Sequence, residues 1–130
     1  AEGYMGRLRC VQEISAVTAA CMMVKTSVFK AVGGFDEELK VAFNDIDLCM
    51  KVRKYGVKIV FTPYAELYHY ESKSRGMEDT PEKQLRFSRE VNCFRRKWER
   101  ELLKGDPYYN PNLTLNNTDC SLRKQEKNGD

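Results

Sequence analysis

The pattern that most limits how this chain can fold runs from Thr80 to Gly105 and specifies one long amphipathic helix. Thr80-Pro81-Glu82 supplies a cap, a proline in the first turn and an acid beside the positive end of the dipole. Phe87, Val91, Phe94, Trp98 and Leu102 then recur at helical spacing, and Gly105 closes the run. The chain has 130 residues, 42% of them apolar, enough for one domain with a modest core. The stretch from Lys83 to Lys104 carries eight basic and three acidic residues. Such a face is either simply solvated or turned toward anionic lipid, a lipid-linked diphosphate or nucleic acid. A formal net charge of +3 is too mild to argue for nucleic acid, and no nucleic-acid partner is expected.

Upstream, Ser15 to Val24 is a short apolar run that reads as a buried strand. Thr26 or Ser27 caps a short helix with Val28, Phe29 and Val32 on its apolar face, and Gly33-Gly34 ends it. An acidic loop from Phe35 to Phe43 leads to a second helix capped by Asn44 or Asp45. Leu48, Val52 and Tyr55 share one face of that helix, Lys51, Arg53 and Lys54 load its end, and Gly56 stops it. Val57 to Tyr70 reads as extended, with Pro63 marking an edge or a break. Glu71 to Asp79 is expected to be a mobile loop, and residues from about Asn116 onward a disordered polar tail. No apolar run approaches the ~20 residues that cross a bilayer. Five cysteines without a CxxC pair suggest buried free thiols in a reducing cytoplasm.

The candidate chemistry lies around the second helix and beyond it. Asp45 at a helix start can take a proton from a hydroxyl, or can merely cap the helix. Asp47 can orient a neighbouring loop, or simply complement the dipole. His69 is the only histidine, able to hold a divalent metal or to serve as an ordinary hydrogen-bonding residue. Gly33-Gly34-Phe35-Asp36 can let a ligand approach the backbone, or can be only a helix stop. It matches neither of the glycine-rich phosphate loops GxGxxG and GxxxxGK[ST].

Five segments in order carry a resemblance: Thr18-Ala-Ala-Cys-Met-Met-Val-Lys, Val32-Gly-Gly-Phe-Asp-Glu, Phe43-Asn-Asp-Ile-Asp-Leu-Cys, Tyr55-Gly and Thr62-Pro-Tyr-Ala-Glu-Leu-Tyr-His. Together with Asp106-Pro-Tyr-Tyr-Asn-Pro-Asn they resemble the C-terminal half of family-2 glycosyltransferases, inverting enzymes of GT-A fold. The Asp106-Pro-Tyr-Tyr-Asn-Pro-Asn ending resembles that of bacterial enzymes of O-antigen, capsule and cell-wall synthesis, rhamnosyltransferase-like members among them. The resemblance implies an α/β fold: the acceptor-side portion of a nucleotide-diphospho-sugar transferase, with about three helices and a few strands over residues 1–115 and a tail over 116–130.

It also implies roles. Asp45 falls on the general base, and Gly34, Phe35 and Asp36 fall on the loop near donor sugar and acceptor. Asn44 stands where the family usually has Glu, and Asp47 is the following acid. His69 falls on a histidine that in many members helps hold Mn²⁺ or Mg²⁺ at the donor diphosphate. The implied partners are a nucleotide-sugar donor and a saccharide or lipid-linked acceptor. The implied setting is cytoplasmic, with peripheral contact at the inner face of the cell membrane left open.

The family's nucleotide-binding half and its Asp-x-Asp motif find no match before Ser15. The chain is therefore expected to be part of an enzyme, inactive by itself and prone to self-association through unpaired strand edges. The alternative is a binding or assembly module that keeps the fold without catalysis.

Overall fold

The computed structural model describes residues 3–70, 80–117 and 119–123. The expected mobile loop over Glu71 to Asp79 lies outside the described residues, as do position 118 and the last part of the tail. Three α-helices and one two-stranded sheet make a small mixed unit: β1 (Gln12–Glu13), α1 (Thr26–Ala31), α2 (Asn44–Lys54), β2 (Val60–Phe61) and α3 (Pro81–Leu103). β1 and β2 run antiparallel, with Gln12 opposite Phe61 and Glu13 opposite Val60. The Ile14 amide extends this pairing by donating to the Ile59 carbonyl at 3.0 Å.

α2 forms the centre. Leu48, Cys49 and Val52 gather with Ile59 into one buried cluster, against which Ile14, Ala16, Val17, Met22, Val28, Phe29 and Val32 pack. A second cluster, Leu39, Phe94 and Trp98, joins α3 to the loop before α2 and takes in Phe43, Met50 and Cys93. The helix therefore touches α1 and the sheet on one side and α3 on the other. Both sides are apolar because Leu48 and Val52 lie four apart on one strip while Met50 lies off it.

Several helix signals act as expected. Thr80 Oγ1 accepts from the Lys83 amide at 3.3 Å, with Pro81 in the first turn. Past α1, Gly34 donates to the Phe29 carbonyl and Gly33 to the Lys30 carbonyl, both glycines being left-handed. That pair of bonds is the Schellman closure. A Cβ on Gly34 would also lie 3.0 Å from the Phe29 ring.

Other expectations need correcting. Ser15 to Val24 is not a strand. Thr18 caps a 3-10 turn over Ala19–Cys21, all exposed, and among the described residues the run has no neighbouring strand to hold it in a ladder. Val57 to Tyr70 is strand only at Val60–Phe61, and the chain turns at Pro63-Tyr64. The apolar stripe of α3 is shifted: Glu90, Phe94 and Trp98 are its buried residues, whereas Phe87 and Leu102 are 44% and 46% exposed. Cys49 is buried, but Cys10 and Cys21 are exposed. Within the expected tail, residues 121–123 fold back: Leu113 pairs with Leu122, and the Arg123 amide donates to the Asn112 carbonyl.

Candidate functional site

The start of α2 is shaped by residues distant in sequence. Asn44 and Asp45 do not cap it; the capping position is Phe43, which is left-handed at φ 63° and makes no side-chain cap bond. A bulky residue rarely adopts that backbone unless its surroundings impose it. Here α3 imposes it. Glu90, 3% exposed, accepts from the Val41 amide at 3.2 Å and the Ala42 amide at 2.9 Å, one on each carboxylate oxygen. The Phe43 ring stacks on Phe94 with centroids 5.1 Å apart and tilts against Phe87 at 6.0 Å. A glutamate on the inner strip of α3 thus holds the last residues before the helix.

Asp47 is the most enclosed acid in the described chain, with no exposed surface. Its Oδ1 accepts from Trp98 Nε1 at 2.8 Å and meets Lys97 Nζ at 2.8 Å. Its Oδ2 lies 3.1 Å from Lys51 Nζ, in ion-pair contact without hydrogen-bond alignment. Lys51 also donates to the Gly34 carbonyl at 3.0 Å, and Lys97 also pairs with Asp36. Gly34, Lys51, Asp47, Lys97 and Asp36 therefore form one continuous polar chain across the glycine turn, α2 and α3. Two carboxylates meet two ammonium groups, so the buried charge is balanced.

The ionisation of this chain follows its contacts. The hydrogen bond from Lys97 holds the Asp36 carboxyl below its usual value, helped by the Glu38 amide. For Lys97, burial works to lower the ammonium's pKa, but the bonds to Asp36 and Asp47 outweigh it and the net shift is upward. Phe35, between Gly34 and Asp36, is 48% exposed and meets Phe29 edge-on at 5.5 Å.

Asp45 is placed differently. Its Oδ2 accepts from the Ala19 amide at 3.1 Å, and its Oδ1 from the Ile46 amide at 2.8 Å. The half-buried carboxylate is thereby oriented by two backbone N–H groups, and among the described residues it forms no ion pair. Behind it, burial pushes the Cys49 thiol up, with the Asp45 charge adding to the effect. Asn44, half-buried, begins the helix beside it.

The structure thus links Gly34, Asp36 and Asp47 through Lys51 and Lys97, whereas Asp45, two residues before Asp47 on α2, reaches the Ala19 amide instead and, among the described residues, shares no contact with that polar chain. His69 lies exposed in irregular chain beyond β2. Among the described residues, no three His, Cys, Asp or Glu side chains come together to hold a metal ion. The described residues alone therefore do not fit the expected divalent metal. Glu90, Lys97 and Trp98 went unnoticed as residues that position the site. Glu90, Phe94 and Trp98 are spaced by four, so a strip including the glutamate was the available signal.

Comparison with known proteins gives partial similarities. The chain is 58% identical over 121 residues to an uncharacterized protein of Sinorhizobium fredii, covering 92% of this chain and 13% of that protein. It is 39% identical over 115 residues to the O-antigen biosynthesis protein RfbC of Myxococcus xanthus, covering 88% of this chain and 9% of RfbC. Over 62 residues it is 36% identical to the N-acetylglucosaminyl-diphospho-decaprenol L-rhamnosyltransferase of Mycobacterium tuberculosis, covering 48% of this chain and 20% of the enzyme. The chain thus spans a small part of the length of these relatives. No family model matches. No solved structure matches either. No helix among the described residues is long and apolar enough to cross a membrane.

Proposed function

We propose that this chain is the acceptor-side portion of an inverting family-2 glycosyltransferase of GT-A fold. The reaction moves a hexosyl or rhamnosyl unit from a nucleotide-diphosphate donor to a hydroxyl, in polysaccharide or glycolipid synthesis. The partial similarities to an O-antigen biosynthesis protein and to a rhamnosyltransferase with a lipid-diphosphate acceptor support that class. The donor nucleotide is held by sequence outside this chain.

The observation that carries the reading is the contrast among three neighbouring acids. Asp36 is committed to Lys97, and Asp47 is sealed between Lys97, Lys51 and Trp98. Asp45 alone is oriented without being neutralised by a cation among the described residues, and it is partly accessible. A base must be reachable and must keep a lone pair for the incoming proton. Each Asp45 oxygen accepts one backbone bond and retains a second acceptor site. The acceptor oxygen attacks the anomeric carbon opposite the departing nucleotide diphosphate, and its proton passes to Asp45. His69 is proposed as one donor to a divalent metal, Mn²⁺ or Mg²⁺, whose other ligands come from outside the described residues.

The test is Asp45→Asn in a longer protein that carries this chain. Sugar transfer should fall by about 10²–10⁴-fold, the usual worth of a positioned base, with the circular dichroism spectrum unchanged. Transfer at the original rate by a folded variant would remove Asp45 from the role. The 130-residue chain alone is expected to show no tight binding of UDP- or dTDP-sugars by calorimetry.

A further inference from the structure

The inner strip of α3 is accounted for by Glu90, Phe94 and Trp98. Its outer strip is not. Arg89, Asn92, Arg95 and Arg96 line a shallow, open groove of about 530 Å³ on that side. All four are exposed, and they carry three positive charges and no negative one. Of the nearby acids of the helix, Glu90 is turned inward and occupied by the Val41 and Ala42 amides, while Glu99, exposed one turn beyond Arg95 and Arg96, offsets one of the three charges and leaves the face net positive. One turn before the groove, Leu85 is 54% exposed on the same strip, and Leu103 at the helix's end is 81% exposed.

We propose that this outer face of α3 docks the protein on an anionic phospholipid surface. Guanidinium groups are planar, permanently charged, and matched to phosphate oxygens by paired N–H donors. The groove is open rather than enclosed, which suits a sheet of headgroups better than one captured molecule. Exposed leucines beside arginines can enter the headgroup layer while the arginine stems lie flat and keep their charges at phosphate level. The proposal rests on the glycosyltransferase reading only for why a lipid-linked acceptor would be near. Such docking would keep the chain at the surface in which a lipid-linked acceptor is confined.

Vesicle co-sedimentation tests this without any sugar transfer, so its failure is distinct from failure of the catalytic reading. The full 130-residue chain is mixed with phosphatidylcholine vesicles, with or without phosphatidylglycerol. Binding should need the anionic lipid and weaken as salt rises. Each arginine near such a surface adds about fivefold, so Arg89→Gln with Arg96→Gln should reduce partitioning about 25-fold. Both side chains are exposed, so the fold should survive, as circular dichroism would show. Equal binding to neutral vesicles would overturn the proposal, as would unchanged binding by the folded double variant. Complete competition by inorganic pyrophosphate would reassign the groove to a single diphosphate. Preference for duplex DNA at matched charge would reassign it to nucleic acid.

Discussion

The α2–α3 junction and the segment that bears His69 are built on opposite principles. At the junction, Asp47 is wholly buried and bonded to Trp98, and Glu90 holds the chain at Val41 and Ala42, in each case across about fifty residues of sequence. Beyond β2, Tyr64 and Tyr68 are 86% and 92% exposed, and His69 shares their irregular, exposed chain. A side chain anchored from several elements keeps its geometry whenever the domain is folded. One on exposed, irregular chain has no helix or strand of its own to fix its direction. The acids of the candidate site are therefore set by the packed elements of this chain, while the imidazole sits on a segment outside them.

The contrast breaks first, and most visibly, at Asp47. Asp47→Ala leaves Lys51 and Lys97 facing each other across an emptied pocket and the Trp98 N–H without its acceptor. Removing one member of a buried charge cluster destabilises by about 3–5 kcal/mol. The lysines keep 18% and 30% of their side-chain exposure and can partly rehydrate, which favours the lower end. Urea unfolding followed by the fluorescence of Trp98, the only tryptophan, reads the loss at the junction itself. A loss under about 1 kcal/mol would make Asp47 equivalent to a surface ion pair.

Glu90→Gln comes next. The amide can accept from one backbone N–H but presents its own N–H₂ to the other, leaving a buried donor unpaired at about 1–3 kcal/mol. If the left-handed Phe43 depends on that grip, Glu90→Gln should also lower transfer in a longer protein that carries this chain. The reason is that the start of α2, and Asp45 with it, would shift. Unaltered stability would mean that the aromatic stack alone sets the turn.

These residues also mark where the sequence was readable. The ends of α3 were legible because their signals are local: Thr80 caps three residues ahead and Gly105 stops the chain where it stands. The start of α2 was legible in position but not in cause. Asn44 and Asp45 are residues that usually cap, yet the helix is entered through Phe43 because Glu90 and Phe94 hold it there. Nothing within a ten-residue window announces that contact. A glutamate in an apolar strip reads as an interruption unless its buried partners are known. Ser15 to Val24 was misread for the reverse reason: its apolar composition fits a strand, but a ladder needs a neighbour that the described residues do not provide. Asp45 was legible as a site residue, whereas its bond to the Ala19 amide is a product of tertiary folding alone.

A smaller effect separates the two regions by pH. Asp36 is held below its ordinary value by Lys97, so its stabilising share is present above the unfolded carboxyl's pKa and declines as pH falls through the lowered folded value. Lys97 is raised despite burial, so its share is complete below the ordinary lysine value and is lost as pH rises through the raised folded one. The junction should therefore be most stable between those limits. Asp36→Asn should flatten the acid side of a plot of thermal midpoint against pH and shrink the alkaline drop. Two parallel curves would show that the Asp36–Lys97 pair adds nothing.

The smallest effect is expected at His69. His69→Ala alters an exposed residue outside every helix and strand, so stability should stay within about 0.5 kcal/mol. In a longer protein carrying the chain, the proposed metal role predicts the opposite for activity: the variant should need more Mn²⁺ for half-maximal transfer. Both readings are needed together. A stability loss comparable to that of Asp47→Ala would mean that His69 is anchored like the junction residues, and the division between the two regions would fail. Unchanged stability with an unchanged Mn²⁺ requirement would leave the acids as the only chemistry this chain contributes.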